Sequence, residues 1–430
     1  MARHRTLVLG AGLTGLSFAY HYDRAVPIYE RNTAVGGLAR TIRVKEHSFD
    51  LAPHLLHLRS AYVKKLLFTE LGLRVERHAR KASIYYDERI IPYPFELNLY
   101  GLSETVRSDC LKGLGEIERV ERDDLEVFRS GSYEDYALKA FGSGIANHYL
   151  LPYNRKIWDT DPSEMTCEWM RYLPTAKVEQ IKRNAGRPNN DKFGYNSEFY
   201  YPSGYGIQEL ADIFAKKLSN IHLDEEAYGI DTTNRIVNYV NGKQVHYETL
   251  ISTLPLRDLV KMTDLEELKE LAGELRSTCV YIINVVVTGK VPDDIHWMYF
   301  PDPDIEFYRI SFPKNYFPNC TPNDVQIIAV EVGSRDENLN IEEIRQRVVN
   351  SIVSMDIVEI DSIVLTHCIR IPVGYCIYDK ERTKRVQLLT SELSRLGVEC
   401  VGRYGQWEYS TMEDAILYGK NLAIKMRREH

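Results

Sequence analysis

Residues 6–22 read TLVLGAGLTGLSFAYHY, and no other stretch of the chain restricts its fold as tightly. A short β-rich run leads directly into Gly10, Gly12 and Gly15, and an amphipathic segment follows from Leu13 to about Tyr22. The order is strand, glycine turn, helix. Residues 26–30, VPIYE, then supply a second strand ending in Glu30, twenty residues after Gly10. The first glycine permits the turn, the second lets the backbone approach a pyrophosphate, and the third lets the helix pack against the strand. The helix N-terminus faces the negative charge, and the acid accepts from a ribose hydroxyl. Gly10, Gly12, Gly15 and Glu30 are therefore assigned to a dinucleotide site.

Six residues past Glu30 comes GGLART, where Gly36 and Gly37 again suit a close backbone approach. A plain Gly-Gly turn is one explanation. A simple nicotinamide-binding Rossmann domain has no need of the pair, whereas FAD proteins of the amine-oxidase superfamily carry one after the second strand. FAD is the favoured dinucleotide.

At 430 residues the chain is long enough for two or three domains, and its 44% hydrophobic and 27% charged content is ordinary for a globular protein. A net charge of −7 gives no general attraction to nucleic acid or an anionic membrane. No run approaches the roughly 18 apolar residues of a membrane span, and no apolar leader follows MARHR. The seven cysteines form no CxxC pair, which argues for a reducing, cytoplasmic location. Tyrosine is frequent, 29 against 13 phenylalanines, which suits either interfacial packing or a hydroxyl-rich ligand such as a sugar.

Residues 47–58, HSFDLAPHLLHL, place His54 and His57 three apart, and Pro53 argues for a strand end and a turn instead of a helix. Metal ligands, core residues and the wall of a reaction site all remain open for them. The sequence turns helical from about 103 to 182. Two strands around Asn241-Gly242 predict a type I′ hairpin, and β-rich runs from 279 to 334 predict an antiparallel sheet forming a substrate floor. Near the end, strand, glycine-rich turn and helix follow, with Thr411 and Asp414 as a capping box. That helix N-terminus could face a flavin edge or merely close the domain.

With GAGLTGL, VGGLART, FDLAPHLLH, RIIPYPFELN, GSGIANHYLLPYNRKIWDTDPSEM, FYYPSGYGI, LISTLPL, WMYFPDPDIEFYRISF and GRYGQWEYSTMEDAILYGK in this order, the chain resembles the UDP-galactopyranose mutases, the eukaryotic type more than the bacterial. The resemblance runs over nearly the whole length. PYPF, PYNRKIW and GRYGQWEY carry most of its specificity. It implies an α/β fold with a Rossmann-like FAD-binding domain (1–75, 203–258, 398–430), an inserted helical domain (95–182) and an antiparallel β-sheet substrate domain (76–94, 183–202, 259–397). It implies an isomerase in which the N5 of reduced FAD attacks the anomeric carbon of a nucleoside-diphosphate hexose. The pyranose and furanose forms interconvert without net redox, although a reductant such as NAD(P)H must first reduce the flavin. By the same resemblance no metal takes part, and the charge and hydropathy above lead us to expect no nucleic-acid or membrane partner.

Residue by residue, the resemblance implies that His54 lies beside the flavin N5 edge, making it flavin wall and not a metal ligand. Arg403 is implied at the flavin side, and Asp414 among the cofactor contacts. Arg309, Tyr375 and Tyr409 are implied at the diphosphate, Tyr299 near the substrate, Asn154 and Trp158 near the sugar and a lid, and Tyr93 and Phe95 at the nucleotide base. His54, Arg309, Tyr375 and Tyr409 form the implied catalytic set. Four departures touch the substrate side. Ala52-Pro53 replaces Gly-Gly, Glu96 replaces a glutamine, Arg171 stands two positions early, and Met412-Glu413 replaces an asparagine. Two other classes stay in view: an FAD-dependent oxidase or desaturase of the amine-oxidase superfamily, and a binding protein that has lost turnover.

Overall fold

The computed structural model describes residues 2–117, 131–172, 176–188, 193–194, 196–336 and 338–429. Two compact units emerge, one formed by Met1–Arg77, Phe199–Arg276 and Glu381–His430, the other by His78–Glu198 and Ser277–Lys380.

The first unit is built on the strand Ala2–Leu9. It pairs in parallel with Gln244–Ser252 on one side and Ile28–Tyr29 on the other, with Leu7 opposite Leu250 and Val8 opposite both Ile251 and Ile28. A strand flanked in parallel on both sides is covered on both faces. That is why TLVL is a continuous apolar run instead of an alternating one. Ile221–His222 and Val398–Cys400 extend the parallel sheet, and the hairpin Ala227–Asp231 with Ile236–Tyr239 adds antiparallel strands. The helix Leu13–Tyr22 buries Leu13, Leu16, Phe18 and Ala19 in a core shared with Ile416, Ala423 and Met426 of the C-terminal helix Met412–Glu429.

The Asn241-Gly242 connection does form a hairpin, but not of type I′. Tyr239 N donates to Lys243 O at 2.9 Å and Gly242 N to Tyr239 O at 2.9 Å, which closes a three-residue loop. Gly242 alone in that loop has positive φ, +83°. Asn241 instead accepts from Lys243 N at 3.1 Å and donates to Glu225 at 2.9 Å. These bonds hold its side chain in a local turn while glycine takes the left-handed position.

The second unit carries a seven-stranded sheet in the order Ile363–Cys376, Ser277–Thr288, Val325–Ser334, Arg309–Ser311, Trp297–Tyr299, Ala82–Tyr86, Arg89–Pro92. The β-rich runs from 279 to 334 pair antiparallel with one another as expected, and the sheet adds a parallel pair beyond that span, Trp297–Tyr299 with Ala82–Tyr86. Long-range return of the chain, not a hairpin, brings those two strands together. One face packs on Ile344, Val348 and Ile352 of the helix Ile341–Ser354.

The helices Glu104–Ile117, Tyr133–Ile145 and Leu151–Trp158 belong to this same unit and do not stand apart as a helical domain. Thr278 Oγ1 donates to the Trp158 carbonyl at 2.7 Å, and Lys156 Nζ donates to the carbonyls of Phe300 and Asp302, both at 2.7 Å. These bonds satisfy carbonyls at a helix end and a strand end at once, fastening helix to sheet.

Candidate functional site

In the first unit the glycine turn is held from both sides. Gly10 N donates to Tyr29 O and Gly36 N to Ala11 O, each at 2.8 Å. Glu30, 6% exposed, accepts from Ala11 N at 2.9 Å through Oε2 and from Asn32 N at 3.0 Å through Oε1. Glu30 thus fastens the turn that it was expected to serve as a ligand contact. Gly12 bridges Gly36, so the two glycine motifs lie side by side.

Gly12 and Gly15 differ in what surrounds them. A Cβ on Gly15 would collide with the Gly10 carbonyl, whereas one on Gly12 would meet nothing nearer than Gly37 Cα at 3.9 Å. Gly15 is required by packing, and Gly12 leaves an open approach. The helix that begins at Leu13 has no side-chain cap and no acidic residue in its first turn. Its leading amides are available to an anion, as a pyrophosphate requires.

The C-terminal residues gather in the same unit. Arg403 Nη1 donates to Ser410 O at 2.8 Å, and its guanidinium lies 5.0 Å from the Tyr409 ring centre. The expected capping box is present: Asp414 Oδ2 accepts from Thr411 N at 2.7 Å, and Thr411 Oγ1 accepts from Asp414 N at 3.2 Å. Asp414 Oδ1 also pairs with Arg59 Nη2 at 3.2 Å. Both oxygens of this expected cofactor contact therefore have protein partners. Glu413, standing where an asparagine was expected, is 2% exposed and accepts from the backbone amides of Arg59 and Ser60, each at 2.8 Å.

His54 is half-buried in the irregular segment after the strand His47–Asp50. Downstream anchors fix that segment: Leu56 N donates to Tyr200 O at 3.0 Å and Tyr200 N to Leu56 O at 2.9 Å. The Arg59 and Ser60 amides are held by Glu413. His57 lies edge-on to Phe199 at 6.2 Å. Among the described residues no group of three or more His, Cys, Asp or Glu side chains is placed to hold a metal. Burial pushes the nearby Asp50 carboxyl up to about 6, against donors from Thr41 at 2.7 Å and Tyr201 at 2.6 Å.

The second unit brings Tyr93, Phe95, Asn154, Trp158, Tyr299, Arg309 and Tyr375 into one compact body. Arg309 stands between Tyr299 and Glu331 in cross-strand register. Its Nε donates to Glu331 Oε1 at 2.5 Å and its Nη2 to Glu331 Oε2 at 2.8 Å, a bidentate pair that also receives Tyr308 OH at 2.8 Å. Burial works against the charge on Arg309, but Glu331 and Tyr375 hold its pKa well above the ordinary range. The sequence reading missed Glu331. Its signal was a lone acid inside the apolar strand VQIIAVEV.

A row of aromatic rings runs beside this pair. Phe95 and Tyr149 stack at 4.9 Å, Tyr149 and Tyr153 stack at 5.4 Å, and Tyr153 meets Tyr299 edge-on at 5.3 Å. Tyr93 lies 5.2 Å from Tyr299 and under the Arg80 guanidinium at 4.6 Å. Burial holds Tyr149 and Tyr153 well above the ordinary phenol range, so both keep their protons. Asn154 is engaged within the protein: it donates to Tyr133 OH and Leu150 O, both at 2.8 Å, and accepts from Trp158 Nε1 at 3.2 Å. It orients Trp158, whose ring packs 5.3 Å from Tyr375. Arg171 lies on the short helix Glu168–Tyr172, and its side chain falls outside the described residues.

Comparison with known proteins bears on both units. Residues 8–70 match the family of NAD(P)-binding Rossmann-like domains. The whole chain superposes on a crystal structure of reduced UDP-galactopyranose mutase with a TM-score of 0.92, covering 100% of this chain and 95% of that one at 24% identity. It also superposes on a proposed protoporphyrinogen oxidase from Exiguobacterium sp. 255-15, with a TM-score of 0.75, 15% identity and 100% and 99% coverage. Wild-type putrescine oxidase bound to putrescine gives a TM-score of 0.65, 12% identity and 99% coverage of each chain. At these identities the likeness is one of fold: the chain has the mixed α/β fold of the mutase, with a Rossmann-like dinucleotide-binding unit. No described helix is long and apolar enough to cross a membrane.

Proposed function

We propose that this chain is an FAD-dependent nucleotide-sugar mutase that interconverts the pyranose and furanose forms of a nucleoside-diphosphate hexose. The observation that carries this reading is the full-length likeness to reduced UDP-galactopyranose mutase, whose TM-score of 0.92 stands well above the 0.65 of putrescine oxidase. FAD fits the first unit because Gly12 leaves an open approach and the leading amides of the Leu13–Tyr22 helix are uncapped. Gly10, Gly12, Gly15, Glu30, Gly36 and Gly37 would hold its dinucleotide, with His54 and Arg403 toward the flavin. Reduced flavin would supply a nucleophilic nitrogen for the anomeric carbon.

The chain's own groups have the supporting work. Arg309, aligned by Glu331, would bind the diphosphate and stabilise the charge that builds as it departs. Tyr375 would donate a hydrogen bond to the same oxygens, while Tyr299 and the Trp158 wall would shape the sugar's space. NAD(P)H is the candidate reductant and the cytoplasm the candidate location.

The test is incubation of dithionite-reduced protein with a panel of nucleotide sugars, with products resolved by chromatography and mass spectrometry. A furanose isomer formed only by reduced protein is the expected result, and full activity of oxidised protein would sink the reading. The oxidase fold of putrescine oxidase favours a second reading, an FAD-dependent oxidase or desaturase. Oxygen uptake separates the two, since a mutase consumes none per turnover.

A further inference from the structure

The helix Leu151–Trp158 carries Asn154 and Trp158, and a different face of it reaches the sheet. Tyr153 and Lys156 stand three apart, so they share that face. Tyr153 meets the Tyr299 ring edge-on at 5.3 Å, and Lys156 Nζ donates to the carbonyls of Phe300 and Asp302, both at 2.7 Å. These acceptors belong to a hairpin in which Trp297–Tyr299 pairs antiparallel with Arg309–Ser311, with Tyr299 opposite Arg309. Lys156 grips the hairpin just beyond Tyr299, on the connection that leads to Arg309.

The same helix end touches the next strand through backbone. A Cβ on Gly333 would lie 2.8 Å from the Ile157 carbonyl oxygen and 2.9 Å from that of Lys156, so glycine lets the helix settle on Val325–Ser334. Two residues before Gly333 on that strand stands Glu331, opposite Arg309 and bonded to it. One helix turn therefore references both members of the Arg309–Glu331 pair. It reaches the strand of Glu331 by backbone contact, and the hairpin of Arg309 by one side chain. All of these residues lie in the second unit.

We propose that Lys156 is a positioning residue of the substrate site, setting the place of Arg309 against the helix that carries Asn154 and Trp158. The inference rests on the nucleotide-sugar reading above and adds to it a residue that acts on the ligand through Arg309. A guanidinium already bonded to Glu331 has only fixed N–H directions left for a diphosphate, so a displaced hairpin turns those donors away from the oxygens. A point charge would tolerate the same shift.

The brace works by its donors. Burial pushes the Lys156 amine down to about 7, with Asp302 and Glu306 opposing, and Glu306 is itself paired with Arg347 at 3.1 Å. Ammonium and amine alike carry at least two N–H groups, one for each carbonyl, so the brace survives on either side of neutrality.

The experiment is calorimetric titration of FAD-loaded protein with UDP, GDP, ADP and CDP, continued in the variants with the tightest of the four. Lys156→Met should weaken that nucleotide about tenfold with flavin content unchanged, because the hairpin loses its hold while no ligand contact is removed. Lys156→Arg, which offers donors to both carbonyls, should recover most of the loss. In an Arg309→Ala, Glu331→Gln background, Lys156→Met should change affinity by less than about twofold, since the fork it positions is gone. A purely structural role would weaken binding equally in both backgrounds. Gly333→Ala displaces the same helix independently and should reproduce the loss, which decides the matter if Lys156→Met does not fold. Wild-type affinity in Lys156→Met or Gly333→Ala, no recovery in Lys156→Arg, or an equal loss without Arg309 overturns the inference. In each of those cases the wild type still binds a nucleoside diphosphate and the mutase reading survives. If none of the four binds the wild type, both fail.

Discussion

The dinucleotide turn of the first unit and the aromatic row of the second are built by different means. The turn is made of backbone: glycines, amides at a helix start, and an acid that fastens the loop. The row is made of side chains drawn from distant elements, with Phe95, Tyr149, Tyr299 and Glu331 each on a different segment. Backbone recognition tolerates sequence drift as long as glycine stays. Side-chain recognition can be retuned one residue at a time; of the four departures from the mutase pattern, Glu96 and Arg171 fall in the second unit and Ala52-Pro53 and Met412-Glu413 in the first, none of them on the glycine turn. The difference teaches that the cofactor class is the firmer part of the assignment and the substrate the more adjustable part.

The largest expected effect breaks the comparison at the turn. Gly12→Val should reduce FAD affinity by more than about 100-fold, because its side chain fills the approach that a pyrophosphate needs. The melting temperature of the flavin-free protein should change little, since the site around Gly12 is open. Gly15→Val should do the reverse, lowering stability through its collision with the Gly10 carbonyl. Flavin absorbance and thermal unfolding of both apoproteins check the pair. Equal destabilisation by the two variants would show that packing, not ligand approach, fixes Gly12.

The next effect lies in the second unit. Arg309→Ala leaves Glu331, 1% exposed, without its bidentate partner, and should cost about 3–5 kcal/mol in a denaturant titration. Arg309→Ala combined with Glu331→Gln should recover part of that loss while nucleotide binding stays weak. Arg309→Lys should weaken turnover less than alanine does, because charge remains and only the fork is lost. A wild-type-like Arg309→Ala would place the diphosphate elsewhere.

A smaller effect concerns Asn154. Replacing it with alanine strands the Trp158 indole N–H, and should cost about 1–3 kcal/mol without changing flavin content. Loss of flavin from Asn154→Ala would contradict its role as an internal brace.

The smallest effect is a pH slope. Burial raises Asp50 to about 6 in the folded protein, so the native state holds a proton that the unfolded chain releases above its ordinary carboxylate range. The Asp50 contribution to stability should therefore fall as pH rises from about 4 to about 6, while Glu96, raised to about 7, extends the decline beyond it. Asp50→Asn should flatten that part of the profile, measured by urea unfolding across the range. An unchanged slope would assign it to other groups, Glu96 first among them.

Much of this molecule was legible before any coordinates. Gly10, Gly12, Gly15 and Glu30 announced the turn because a parallel strand, a tight glycine bend and a helix start are local events spread over thirty residues. The Thr411 and Asp414 cap was equally local. Asn241-Gly242 marked a turn but misled about its type, since side-chain bonds of Asn241 to Lys243 and Glu225 decide the loop. The resemblance gathered Tyr93, Asn154, Tyr299 and Arg309 into one expected site, yet it did not reveal that Asn154 is engaged by Tyr133 and Trp158, or Arg309 by Glu331.

The sequence by itself determined the Rossmann-like turn, the β-rich second unit and the positions where the mutase pattern is altered, because each is written in neighbouring residues. Only the tertiary structure decided that the helical stretch shares a unit with the sheet, that Trp297–Tyr299 pairs in parallel with Ala82–Tyr86, and that Glu331 aligns Arg309. Those facts depend on contacts between residues far apart in the chain. Their energies come from burial and from satisfying charges out of water, which no local pattern specifies.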